Sequence, residues 1–243
     1  MITFIAIAAF SATLLGGLFA LRFRDRLHLI LGFSAGAVIG VAFFDLIPEA
    51  IELGSSAHSV STITSLVALG FVLYMVLDRF VVMHGHAHDD THEKMHNGHH
   101  QGILGAGSLS IHSFLDGAAI GLAFQVSAAV GAIVAAAVLV HDFSDGINTV
   151  NMILKNGGQK KKAFKWLLVD ALAPVLGIIS TLFFSLSEAV LGVILAIFAG
   201  FFLYIGASDL LPESYHGHPR ALTTIMTLAG IAVMFVAIKL AGI

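Results

Sequence analysis

The sequence predicts an all-α integral membrane protein of eight transmembrane helices, and three observations carry that prediction. Hydrophobic residues make up 58% of the 243 and charged residues 11%, against about 25% charged in an ordinary soluble domain; the mean hydropathy is +0.95. Apolar stretches of about 18 to 25 residues recur along the whole chain, each able to cross a hydrocarbon core about 30 Å thick as a helix. The basic residues then fall on alternate sides of those stretches, as the positive-inside rule requires of a threaded chain. A soluble globular enzyme is excluded. There is no cysteine, so disulfides and thiolate metal sites are excluded as well, and any metal must be held by nitrogen and oxygen. A net charge of -3 offers no basic surface for nucleic acid.

Taken in order, the stretches are 2–21, 28–51, 62–83, 103–125, 128–153, 165–186, 188–213 and 221–241. The first lacks a basic segment before it and a processing site, and reads as a retained helix rather than a signal peptide. The second carries Gly32, Gly36 and Gly40 at four-residue spacing, a flat strip for close helix contact, and ends in Asp45-Leu-Ile-Pro-Glu49. After the third comes a loop over 84–101 in which His84, His86, His88, His92, His96, His99 and His100 lie among Asp89, Asp90 and Glu93. Clustered histidine and carboxylate is the composition of a labile metal-binding tract; a solvated polar linker is the plainer alternative. The fourth and fifth stretches carry His112 to Gly117 and His141 to Gly146, and Gly117 and Gly121 repeat the small-residue spacing. The sixth contains Asp170 four residues before Pro174, placed for an auxiliary site, or for a local cap or local pairing with Lys165. The seventh ends in Asp209-Leu-Leu-Pro-Glu213.

Orientation follows from Lys and Arg. With both termini outside, Arg22, Arg24, Arg26, Arg79, Lys94, Lys155, Lys160, Lys161, Lys162, Lys165 and Arg220 are cytoplasmic and Lys239 alone is outside. The histidine-rich loop is then cytoplasmic, and 1–243 reads as a single transmembrane domain.

Two internal repeats are present. A shift of 164 superposes Asp45, Leu46, Pro48 and Glu49 on Asp209, Leu210, Pro212 and Glu213; a shift of 29 superposes His112, Phe114, Asp116 and Gly117 on His141, Phe143, Asp145 and Gly146. Members of each pair cross the membrane in opposite senses, as a 3+2+3 inverted-repeat arrangement about an axis in the membrane plane would produce. Asp45 and Glu49 then form an acidic outer mouth, Asp209 and Glu213 an inner one.

The chemistry lies between the mouths. His112 and Asp116, like His141 and Asp145, are four apart and share one helix face. Ser113 and Asp142 begin the neighbouring stripe. An ionised Asp at a helix centre costs about 2.5 to 3.5 kcal/mol on insertion scales, so three with two histidines at one depth call for a cation, hydrogen-bond partners or water; interhelical hydrogen bonds or a water-filled vestibule are the plainer alternatives to a metal. Imidazole and carboxylate suit zinc well, and also iron, manganese, cobalt or cadmium.

On these residues the chain resembles the ZIP (Zrt/Irt-like) family of divalent-metal transporters over essentially its whole length. The family's span-four signature, His-Asn-x-Pro-Glu-Gly, has its counterpart in His112-Ser113-Phe114-Leu115-Asp116-Gly117, and the span-five signature in His141-Asp142-Phe143-Ser144-Asp145-Gly146. Leu115 and Ser144 stand where the signatures have proline, Asp replaces Glu at both acids, and Ser113 replaces an amide. The resemblance implies that His112, Asp116, His141 and Asp145 form the main metal site and that Ser113, Asp142 and Asp170 line a second one. It also implies movement of zinc or another divalent metal toward the cytoplasm, a homodimer in the lipid bilayer of a prokaryotic plasma membrane, and an elevator-like motion. The cation is substrate, with no resident cofactor. Three rivals use similar residues: a cation-diffusion-facilitator exporter, a membrane-embedded zinc hydrolase that activates water, and a proton-coupled sensor.

Overall fold

Why these residues become eight rods follows from the bilayer: a helix satisfies every backbone donor and acceptor internally, which lipid cannot do. The computed structural model describes residues 1–21, 27–86, 97–155, 157–215 and 221–241. Among the described residues all regular structure is helical, and eight helices are long and apolar enough to cross a membrane: Ile2–Ala20, Leu29–Gly54, Val60–Arg79, Gly105–Val126, Ala128–Leu154, Lys160–Phe183, Glu188–Ser208 and Ala221–Leu240. These are spans one to eight. Parts of the 84–101 loop read as linker are helical: span three continues to His86, and the helix of span four starts at Asn97.

Short polar connections end the helices in ways the sequence signals. The Ser59 hydroxyl caps span three by accepting from Thr62 N–H at 3.2 Å, and Ser127 caps span five by accepting from Val130 N–H at 3.1 Å; such caps are worth about 1 kcal/mol each. The helix of span five stops at Gly157, whose φ of +77° favours glycine, and Gly158 N–H closes back onto Ile153 O at 2.8 Å.

Besides the contact of span four with span five, the spans pack in four pairs: one with five, two with eight, three with seven and four with six. Each pair meets through glycine on both partners. A Cβ at Gly117 would run into the Pro174 carbonyl, and one at Gly177 into that of Phe114; Gly146 opposes Thr13 in span one and Gly16 opposes Phe143. Gly36 and Gly230 join spans two and eight, and Gly70 and Gly200 join three and seven. Between apolar helices in lipid there is no hydrophobic drive to associate, so close backbone approach and van der Waals packing hold the pair. The Gly32, Gly36 and Gly40 strip packs along span eight, against Thr223, Thr227, Ile231 and Met234. Spans one, four, five and six form one group and spans two, three, seven and eight another, bordering where two and three meet five and four.

Spans two and seven share an irregularity. Over Ala42–Leu46 and Ile205–Leu210 the helix widens to π geometry. Ile47 N–H donates to Ala42 O and Leu211 N–H to Gly206 O, each five residues back, and the two bonds stand 164 residues apart, in register with the sequence repeat. The cause is the next residue. Pro48 and Pro212 have no N–H, so the carbonyl four residues earlier loses its α-helical donor and the ladder changes register around it.

Candidate metal centre

His112 and Asp116 lie mid-way along the helix Asn97–Val126, and His141 and Asp145 mid-way along Ala128–Lys155. The Gly117 and Gly146 contacts anchor both helices one residue beyond the acids. The two i, i+4 faces meet. One ligand atom from each of the four residues lies within 4.8 Å of all the others, and all four side chains are buried. Asp116 Oδ2 stands 3.0 Å from His141 Nε2 and 3.1 Å from His112 Nε2; Asp145 Oδ2 stands 3.6 Å from His112 Nε2 and 3.9 Å from His141 Nε2. A tetrahedral cation with bonds of about 2.0–2.1 Å separates its ligand atoms by about 3.3–3.4 Å, and these spacings bracket that value.

The histidine orientations agree with that use. His141 Nδ1 is 3.1 Å from Ala137 O, and a carbonyl only accepts, so Nδ1 carries a proton and, in the neutral ring, Nε2 is the nitrogen left to bind a metal. His112 Nδ1 is 2.9 Å from the Tyr74 hydroxyl of span three, leaving its Nε2 toward Asp116 and Asp145. The two rings lie 5.7 Å apart. Without a metal these contacts are satisfied by a proton on Nε2, as in the 3.0 Å hydrogen bond between His141 and Asp116; with Nε2 deprotonated, a cation between the nitrogen and oxygen lone pairs would offset their burial.

The neighbouring stripe divides. Asp170 is fully buried and accepts from the Ser113 hydroxyl at 3.0 Å and the Thr149 hydroxyl at 2.8 Å, so span six ties spans four and five together. Neither a cap nor a pair with Lys165 accounts for its carboxylate; two hydroxyls hold it. Asp142 is fully buried and neither of its oxygens has a hydrogen-bond partner, nor has Asp145 Oδ2. Each such carboxylate oxygen is costly unless protonated or set against a cation.

At the distal acids the placement is more buried than a mouth suggests. Asp45 lies in the π turn with no exposed surface and no hydrogen-bond partner for either oxygen, while Glu49, one turn on, is half-buried. The backbone of Asp209 and Glu213 follows the matching turn; their side chains lie outside the described residues. The same holds for the side chains of His84, His86, His99 and His100, and His88, His92 and His96 lie wholly outside them.

Tyr74, Thr149 and Ser34 were not singled out from sequence. Ser34 of span two donates to Val140 O at 3.0 Å and lies 3.4 Å from the Ser144 hydroxyl, fastening span two beside the span-five motif. Tyr74 carried a usable signal. A tyrosine well inside an apolar span, away from the interfaces where that residue collects, needs a polar partner for its hydroxyl.

The chain is similar over most of its length to known proteins. A family model described as the ZIP zinc transporter matches residues 1–105 and 83–238. Among curated proteins, the zinc transporter ZupT of Chlorobium luteolum is 30% identical, with 96% of this chain and 97% of that protein covered. ZupT of Corynebacterium aurimucosum is 27% identical over 94% of this chain and 92% of its own length. Zinc transporter ZIP10 of Danio rerio is 35% identical over 47% of this chain, which is 13% of that larger protein.

Proposed function

The chain belongs to the ZIP zinc transporter family, and from that premise we propose that it carries zinc across the plasma membrane toward the cytoplasm through a mid-membrane site made by His112, Asp116, His141 and Asp145. It is a metal transporter and not an enzyme. The observation that carries the site is the convergence of two imidazole nitrogens and two carboxylates, all buried, within 4.8 Å. Iron, manganese and cadmium fit the same donors. Ser113, Asp142 and Asp170 line the stripe beside it, and the unpartnered Asp142 carboxylate favours a second cation position there. Asp45 and Glu49 draw metal in and Asp209 and Glu213 pass it on, with both termini outside and the histidine-rich loop binding metal at the cytoplasmic face. The lysine and arginine distribution supports that orientation.

The 3+2+3 inverted repeat is part of this reading. Exchanging spans one with six, two with seven, three with eight and four with five carries the packed pair one–five onto six–four, and two–eight onto seven–three. The paired π turns support the same exchange. A homodimer is the assembly the family resemblance suggests, with crosslinking in native membranes as its test.

The reading is tested by zinc flux into proteoliposomes loaded with a fluorescent chelator. Wild-type protein should load zinc, the Asp116→Ala/Asp145→Ala double variant should not, and a deletion of 84–100 should retain flux. Ligation needs neutral imidazole and ionised carboxylate, so metal-driven flux should fall as the medium is acidified below the usual histidine range. Undiminished flux in the double variant would refute the ligand assignment. No wild-type flux with any of the four metals, despite binding, would refute this site as the route of transport.

A further inference from the structure

The two histidines of the centre have partners of different kind. His141 Nδ1 faces a backbone carbonyl of its own helix, Ala137 O, and His112 Nδ1 faces a hydroxyl from another helix group, Tyr74. A carbonyl accepts only, so it admits one neutral tautomer of its histidine. A phenol both donates and accepts.

We propose that Tyr74 is a positioning residue for the metal centre, holding the His112 ring with Nε2 toward Asp116 and Asp145 in both neutral tautomers. The proposal rests on the reading of those residues as the metal centre. Without metal, Nε2–H donates to Asp116 Oδ2 across 3.1 Å and Nδ1 accepts from the Tyr74 hydroxyl across 2.9 Å. With metal, the Nε2 lone pair is on the cation and Nδ1–H donates to Tyr74 Oη. The Nε2 proton is released to solvent as the metal binds and Nδ1 takes one from solvent, with the phenol O–H turning away from Nδ1, so the proton count and the neutral ring are unchanged and the ring does not have to flip. Groups that orient a metal-bound imidazole through its far nitrogen typically change affinity or activity ten- to a hundredfold when removed.

The hydroxyl is delivered by a braced ring. Tyr74 packs against Phe201 and Tyr204 of span seven with centroids 5.3 and 5.4 Å apart, and stands edge-on to His112 at 5.7 Å and 79°. Tyr204 is held in turn, its hydroxyl donating to Asp78 Oδ2 at 2.9 Å, one helical turn beyond Tyr74 on span three. Phe202 of span seven stands edge-on to His141 at 6.0 Å, so each imidazole has an aromatic edge beside it, Tyr74 for His112 and Phe202 for His141. A brace of this kind positions the phenol without adding a charge beside the cation.

The test uses full-length protein in detergent, with Co(II) as an optical probe of a nitrogen and oxygen site. In Tyr74→Phe, which keeps the ring contacts and removes the hydroxyl, the apparent Co(II) Kd should rise ten- to a hundredfold, and the visible ligand-field bands should shift as the imidazole turns. In zinc flux, KM should rise with kcat within about twofold of wild type. Tyr74→Gln, whose amide also donates and accepts, should recover part of the lost affinity. Wild-type affinity and bands in Tyr74→Phe would overturn the proposal, and so would a loss that Tyr74→Gln does not relieve at all, since that result belongs to packing. A wild-type protein with no saturable Co(II) band, or a band that survives Asp116→Ala/Asp145→Ala, would overturn the metal-centre reading itself and this proposal with it.

Discussion

Spans four and five carry one motif, His-x-Phe-x-Asp-Gly, in two different surroundings. In span four the imidazole is held from outside by Tyr74, the next residue is Ser113, and the hydroxyl of Ser113 is used on Asp170. In span five the imidazole is held by its own helix at Ala137 O, the next residue is Asp142, and that carboxylate has no hydrogen-bond partner. The acids differ as well: Asp116 reaches both imidazoles at 3.0 and 3.1 Å, whereas Asp145 stands off at 3.6 and 3.9 Å. A repeated motif therefore supplies the donor types twice, while the helices packed around it decide how firmly each donor is held. The near-symmetry of the sequence becomes an asymmetric site.

The largest effect expected from that asymmetry is at the acids. Asp116→Ala removes the carboxylate shared by both histidines and should weaken Zn(II) binding at least a hundredfold, about 2.7 kcal/mol. Asp145→Ala removes the more distant one and should cost about tenfold. Competition of zinc against a chelator of known affinity, on the purified single variants, reads both. Equal losses would mean that metal draws the two acids to equal distance and that the difference between the spans is confined to the metal-free protein.

Next in size are the glycines that close each motif. A methyl at Gly117 meets the Pro174 carbonyl and one at Gly146 meets the Thr13 carbonyl, and backbone cannot swing aside as a flexible side chain can. Gly117→Ala and Gly146→Ala should each lower stability by about 1 to 3 kcal/mol, read as the thermal midpoint of the detergent-solubilised protein. Here the two spans should behave alike, because each leans on backbone in the same way. A variant that keeps wild-type stability would show that its helix pair has room to separate.

Much of this was legible in the sequence. Eight spans follow from hydropathy, because lipid makes an apolar run of that length hard to use otherwise. That His112 and Asp116, and His141 and Asp145, share a helix face follows from i, i+4 spacing, since a helix face is a local property. What was not legible depends on which helices become neighbours. Tyr74 is 38 residues from His112, and no spacing rule links them until span three packs beside span four. Asp170 stood out as an intramembrane acid, but its use by Ser113 and Thr149 requires spans four, five and six to meet. Asp45 and Pro48 were visible as a repeated motif; the π turn that Pro48 imposes, and the burial it gives Asp45, are consequences of a register change that residue patterns do not encode.

The smallest effect sharpens the comparison between the two neighbouring acids, Asp142 and Asp170. Both are fully buried, but Asp170 accepts two hydroxyl bonds and Asp142 accepts none. Asp170→Asn replaces one accepting oxygen with a donating NH2 group, so either the Ser113 or the Thr149 hydroxyl must turn away. That should cost about 1 kcal/mol of stability. In metal-free protein Asp142→Asn removes a carboxylate with nothing to offset its burial, and should leave the thermal midpoint unchanged or raise it. Adding zinc reverses the advantage if Asp142 faces a second cation position: the wild-type midpoint should then climb further with metal than that of Asp142→Asn, because a ligand stabilises only the form it binds. Equal zinc-induced shifts in the two proteins would assign Asp142 to the frame of span five and leave the four-residue centre as the metal site of this transporter.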